Sequence, residues 1–171
     1  SLAESENVPT CLHLDHCSDI SAIETAMNAG FSSVMYDGSH LGLEENIGNT
    51  RIVVEMARPR NITVEGELGA IGGSEDGKAV AAEDICFTTV EDATRFVNET
   101  QVDMLAVSVG TVHGLYTGKA QIQHQRLKEI SRATGVPLVL HGGSGIPEDQ
   151  LEKAFRMGIN KFNVATERAV G

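Results

Sequence analysis

The sequence predicts an α/β fold built on a parallel sheet, and three observations carry that prediction. Strand-like and helix-like stretches alternate along the 171 residues, through six strands and five crossovers. Such alternation means parallel strands joined by right-handed connections. The run from Met104 to Val109 is almost continuously apolar, as expected of a strand covered on both faces. Finally, the polar clusters fall at the C-terminal ends of the strands, where barrels and open doubly wound sheets both build their sites.

The elements follow in order. Leu12 to His16 reads as a strand that ends in Asp15-His16. Residues 18–29 read as a helix, capped by Ser18 or Asp19, with Ile20, Ile23, Ala26 and Met27 on one face and Gly30 as its stop. Phe31 to Tyr36 is the next strand and delivers Asp37. A helix over 49–58 turns Ile52, Val53 and Met56 inward before Pro59, and Ile62-Thr63-Val64 leads into Glu65-Gly66-Glu67. Residues 69–82 lack apolar periodicity, which predicts a mobile functional loop or lid. Thr89 caps a helix over 90–98, with Asp92 three residues on. The strand from Met104 delivers Val112-His113-Gly114. A helix over 124–134 stops at Gly135, and Val136 to Leu140 is a strand carrying His141. Pro147 opens one more helix, and Asn160 to Val164 is the last strand, running into Ala165-Thr166.

Length implies one domain over 1–171, and composition narrows the partners. A net charge of −11 argues against nucleic acid or an anionic membrane as a partner. No run approaches the ~20 apolar residues of a membrane span. Three cysteines without framework spacing, and an acidic start unlike a signal peptide, lead to a cytoplasmic expectation.

The chemistry concentrates on three histidines at three strand ends. His16, His113 and His141 in that arrangement suggest a three-imidazole metal site, with Asp15 beside it. Asp37 and Glu67, at neighbouring strand ends, could add oxygen ligands or simply bond loop backbone. His13, three residues before His16, is expected on the opposite strand face as a core residue. His40 and His124 have no such support. Gly142-Gly143-Ser144-Gly145 reads as a phosphate cradle of exposed backbone N–H groups. Asn163 and Thr166 place hydrogen-bonding groups on the same rim.

Together these motifs resemble the class II, metal-dependent fructose-bisphosphate and tagatose-bisphosphate aldolases. The matching stretches are HLDH at 13–16, SVMYDGSHLGLEENI at 33–47, VEGELGAIGGSEDG at 64–77, VGTVHGLY at 109–116, LHGGSGIP at 140–147 and INKFNVATE at 159–167. The resemblance implies a TIM (β/α)8 barrel. The first match is to its third strand, so the 171 residues correspond to six of eight strands, the third to the eighth. It implies cleavage of a ketose 1,6-bisphosphate to dihydroxyacetone phosphate and glyceraldehyde 3-phosphate, with Zn2+ held by His16, His113 and His141. Asp37 and Glu67 would form a second or alternate metal position. Asp15 would carry the proton at the cleaved bond and Glu75 the proton of the dihydroxyacetone-phosphate carbon. Gly114, Gly142, Gly143, Ser144, Asn163, Val164, Ala165 and Thr166 would bind the triose phosphate. A monovalent cation (Na+ or K+) near Gly114 and Gly142 and a homo-oligomer are also expected. Two departures stand out: Cys17 follows HLDH where the family usually has glycine, and Thr117-Gly118 precede Lys119 where a lysine often follows directly. The alternative function is a non-catalytic barrel remnant that binds metal or triose phosphate.

Overall fold

The alternation of elements resolves into a six-stranded parallel sheet flanked by helices. This is a computed structural model. It describes residues 8–69, 72–75, 78–80, 86–113 and 122–164, for 72–75, 78–80, 112 and 113 the backbone only. The sheet strands are β1 (His13–Cys17), β2 (Ser33–Tyr36), β3 (Thr63–Leu68), β6 (Met104–Val107), β8 (Leu138–Leu140) and β9 (Ile159–Phe162). Between them run α1 (Ile20–Asn28), α2 (Leu43–Ala57), α3 (Val90–Thr100), α4 (His124–Thr134) and α5 (Glu148–Arg156). Each strand joins the growing edge of the sheet, so spatial order follows chain order.

Period-two alternation divides each strand between two cores. Val34, Tyr36, Val64, Leu68, Leu105, Val107, Leu138, Leu140 and Ile159 pack outward against the helices in one large cluster. Met35, Ala106 and Val139 form a smaller cluster on the other face, with Met104 against it. Glu65, Glu67 and His141 belong to that inner face by the same parity, and a register shift of β9 against β8, which pairs Lys161 with Val139, brings Lys161 there as well.

The sheet is curled. Across five strand spacings, a flat sheet would hold its edges roughly 24 Å apart. Yet Lys161 of β9 lies 3.2 Å from His13 of β1, and Asn163 just past β9 bonds Asp15 at 3.0 Å. The two edge strands therefore face each other across the inner side, as in part of a barrel wall.

Several boundaries differ from expectation. Helix α2 begins at Leu43, six residues before the expected start, with Glu44 and Glu45 complementing its N-terminal dipole. Its longer register turns Asn46, Thr50, Val53 and Ala57 inward and leaves Ile52 exposed, contrary to the inward position expected for Ile52. Strand β3 continues through Glu65 and Glu67 instead of ending before them. The segment 69–82 was expected to be a mobile functional loop or lid. It includes the strands β4 (Gly72–Glu75) and β5 (Lys78–Val80), paired antiparallel, and β4 pairs in parallel with β7 (Val112–His113). Strand pairing is a backbone ladder, so a glycine-rich stretch with no apolar period can still form one. Among the described residues, no helix is long and apolar enough to cross a membrane.

Candidate metal and proton-transfer site

The site begins with an irregularity in β1. His13 and Asp15, two residues apart, share the inner face by ordinary strand parity. His16 would then point outward, but the register of β1 against β2 shifts between Leu14 and Cys17. His16 takes a left-handed backbone conformation with φ 41°, uncommon for a residue with a side chain. The turn brings its ring inward as well, where it meets His141 edge-on with centroids 4.5 Å apart. The parity argument that sent His13 to the opposite face as core therefore fails. His13 faces the same interior as His16, with Nδ1 2.7 Å from Ser33 Oγ and Nε2 3.5 Å from Asp15 Oδ1.

His141 is fully buried one residue past β8. Its Nε2 lies 2.9 Å from Glu65 Oε1, and the other oxygen of Glu65 accepts from Lys161 Nζ at 2.6 Å. On the opposite side of the ring, Nδ1 is 3.3 Å from Asn163 Nδ2. The same amide donates to both Asp15 oxygens, at 3.0 and 3.1 Å. Asp15, His16 and His141 consequently each offer a ligand atom within 4.8 Å of the others.

A second group shares His16. Its Nδ1 lies 3.1 Å from Asp37 Oδ2 and 3.5 Å from Glu67 Oε2. His16, Asp37 and Glu67 again bring their ligand atoms within 4.8 Å of one another. Asp37 is fixed where β2 ends: Ser39 donates to its Oδ1 from both backbone N and Oγ, at 3.1 and 2.6 Å. Asn46 of α2 holds the backbone of Glu67 through a 2.8 Å bond to its carbonyl.

The charges around these groups are far from neutral-water behaviour. Burial opposes ionisation of Asp15, but the His13 contact and the charges of His141, His16 and Lys161 outweigh it and hold the carboxyl well below its usual range. Asp37 is likewise lowered, its burial overcome by His16 and Ser39. Burial disfavours the charged His16 ring, yet the Asp37 hydrogen bond and the charges of Glu67, Asp15 and Asp37 raise it to about 9. Glu67 moves the other way, pushed well up by full burial and by the Asp37 charge. Its Oε2 is buried without a hydrogen bond among the described residues. The two groups overlap at His16, and each, the second with a Glu67 oxygen lacking a donor, is a set suited to a divalent cation with mixed nitrogen and oxygen ligands.

Other expected site residues fall differently. Gly143 lies so close to the end of β9 that a Cβ there would stand 2.7 Å from the Asn163 carbonyl. Its N–H donates to that same carbonyl at 2.9 Å. The expected cradle therefore loses the Gly143 N–H, which ties β8 to β9 instead of facing an anion. Gly142 has φ 67°, Ser144 is buried, and Val164 is half-buried. The backbone of His113 pairs with Gly73, in the same small sheet as Glu75. The side chains of His113 and Glu75, and all of Gly114, Ala165 and Thr166, lie outside the described residues. His124 bonds Gln150 at 2.9 Å, away from the site.

Sequence reasoning passed over Glu65, Lys161 and His13. Glu65 and Glu67 sit two apart between Val64 and Leu68, which for a continuous strand puts both carboxylates on one face. That signal was present and was hidden by ending the strand at Val64.

The chain is similar to known proteins over most of its length. The family model "Fructose-bisphosphate aldolase class-II" matches residues 1–170. The chain is 49% identical over 160 residues to a 6-phospho-5-dehydro-2-deoxy-D-gluconate aldolase of Shouchella clausii, covering 94% of this chain and 54% of that protein. It is 44% identical over 163 residues to a sulfofructosephosphate aldolase of Alkalicoccus urumqiensis, covering 95% and 57%. The crystal structure of the YdjI aldolase from Escherichia coli K12 superposes with a TM-score of 0.85 at 36% identity, over 99% of this chain and 58% of that one. The chain spans a little over half the length of the curated relatives it matches.

Proposed function

Since the chain belongs to the class II fructose-bisphosphate aldolase family, we propose that it supplies the metal-binding and proton-transfer part of an aldolase that splits a phosphorylated ketose into dihydroxyacetone phosphate and an aldehyde. The observation that carries this reading is the Asp15 carboxylate, lowered by its neighbours and gripped by the Asn163 amide, beside the His16–His141 pair. His16, His113 and His141 would hold the metal, with Asp37 and Glu67 as further oxygen donors. When bound there, a zinc ion supplies Lewis acidity toward the ketose oxygens, where negative charge develops.

The protein's own groups handle the protons. As a base, Asp15 takes the proton of the hydroxyl on the aldehyde-side carbon while the carbon–carbon bond breaks. Asn163 fixes the orientation of that carboxylate, so the base needs no rearrangement at the moment of reaction. Glu75 returns a proton to the dihydroxyacetone-phosphate carbon. Gly142, Ser144, Val164 and the residues that follow it, with Gly114, are the groups proposed to bind the phosphate.

The ketose 1,6-bisphosphate is one substrate of this class. The relatives' names favour a second reading of its far end. One is named for a substrate that carries a carboxylate, the other for one with a sulfo group, and both substrates carry a phosphate. The phosphoketone half is thus the constant part, and the opposite anionic end varies. The test is condensation of dihydroxyacetone phosphate, in the presence of zinc, with aldehydes bearing a phosphate, a carboxylate or a sulfonate. Product should form with one of the three and vanish in Asp15→Asn. In the complete enzyme to which this chain contributes, full zinc occupancy with no product from any aldehyde would reject aldolase activity.

A further inference from the structure

We propose that Glu65 is the positioning residue that fixes the ring of His141 with Nδ1 turned into the metal site. The proposal rests on the reading of His141 as a metal ligand. Glu65 is fully buried in the middle of β3, on an inner face whose apolar lining is Met35, Ala106 and Val139. A carboxylate in such a place is costly unless every oxygen is engaged. Each one is: Oε1 meets His141 Nε2 at 2.9 Å, and Oε2 accepts from Lys161 Nζ at 2.6 Å.

A carboxylate clamped by an ammonium group can only accept from the imidazole. Nε2 must therefore carry the hydrogen, which leaves the lone pair on Nδ1. That nitrogen faces Asn163 and, through its amide, Asp15. An imidazole bound to metal commonly gives its other N–H to a carboxylate, which sets both tautomer and rotation. Lys161 in turn reaches His13 Nε2 at 3.2 Å, and His13 lies 3.5 Å from Asp15. The chain of contacts Asp15–His13–Lys161–Glu65–His141 ties the orientation of the ligand to that of the base. Hydrophobic residues would fill the interior at lower cost but could not hold this geometry.

Two measurements test the proposal without relying on turnover. Two-bond 1H–15N spectra of the chelated, 15N-histidine-labelled protein should show His141 as the Nε2–H tautomer. The Nδ1–H tautomer would overturn the proposal with no variant needed. Zinc affinity, by chelator competition, should fall about 10- to 100-fold in Glu65→Gln and less in Lys161→Met. A folded Glu65→Gln that keeps zinc within twofold of the parent would also overturn it. His141→Ala separates the two levels of the argument. If this variant binds zinc as tightly as the parent, the reading of His141 as a ligand fails. If it loses zinc while Glu65→Gln does not, only the positioning role fails.

Discussion

At the residue scale, the account assigns different work to two neighbours in sequence. In the proposed function Asp15 moves a proton and His16 binds metal, although both sit in one strand end. Asp15→Asn should therefore keep zinc and lose about 10²–10⁴-fold in cleavage, as for removal of a general acid–base group. Parallel loss of zinc and activity, measured by metal analysis on the assayed sample, would make Asp15 a ligand. His16 leads to a pH prediction. Its pKa, raised to about 9 in the folded chain, exceeds the ordinary imidazole value of 6.5, because Asp37, Glu67 and Asp15 outweigh the effect of burial. After chelation, this group's contribution to stability should be fully present below about pH 6.5 and disappear as the pH rises through about 9. Because metal must displace that proton, zinc affinity should climb about tenfold per pH unit up to about pH 9. A flat affinity profile in isothermal titration across that range would contradict it. The place of His141 was legible because an imidazole before glycine at the end of an apolar run is conspicuous. The inward turn of His16 was not, since a single left-handed residue leaves no periodic trace.

At the element scale, β3 concentrates the design. Glu65 and Glu67 face the interior, while Gly66 between them faces the helices. A Cβ at Gly66 would lie 2.8 Å from Phe96 Cε1 and 3.3 Å from Val102 Cγ1. Phe96 is itself fully buried in α3 and has no room to retreat. Gly66→Ala should therefore cost about 1–3 kcal/mol by overpacking, read as a lowered midpoint in denaturant melts. An unchanged midpoint would mean that α3 is free to shift away from the sheet. Helix and strand types in the six-stranded sheet and its crossovers were readable, because apolar spacing and capping agree: Thr89 accepts from Asp92 N at 3.0 Å and Asp19 from Ser21 N at 2.8 Å, as their sequence positions suggested. The start of α2 was not, because Gly42 makes no side-chain cap and Asn46 and Thr50, although polar, face inward. The β4–β5 hairpin was missed for a related reason. Its clue was the Asp76-Gly77 dipeptide between the paired Glu75 and Lys78, not any apolar pattern.

At the scale of the whole molecule, the site joins the two borders of the described sheet. Asp15 on β1 meets Asn163 beyond β9, yet β1 and β9 are the terminal strands in the sheet order. Leu12 and Phe162, at these borders, are substantially exposed. A polypeptide of these 171 residues alone should therefore self-associate through open edges and turn over weakly. A misplacement of ~1 Å between reacting groups already costs about a hundredfold. Light scattering showing a monomer, together with aldolase turnover matching that of a full-length relative, would refute this. The most direct test of the central claim is anomalous diffraction at the zinc edge from zinc-soaked crystals. The account predicts one strong peak within bonding distance of His16, His141 and His113, with Asp15 beside it but not bound. A peak elsewhere, or one that leaves His16 or His141 uncoordinated, would contradict it.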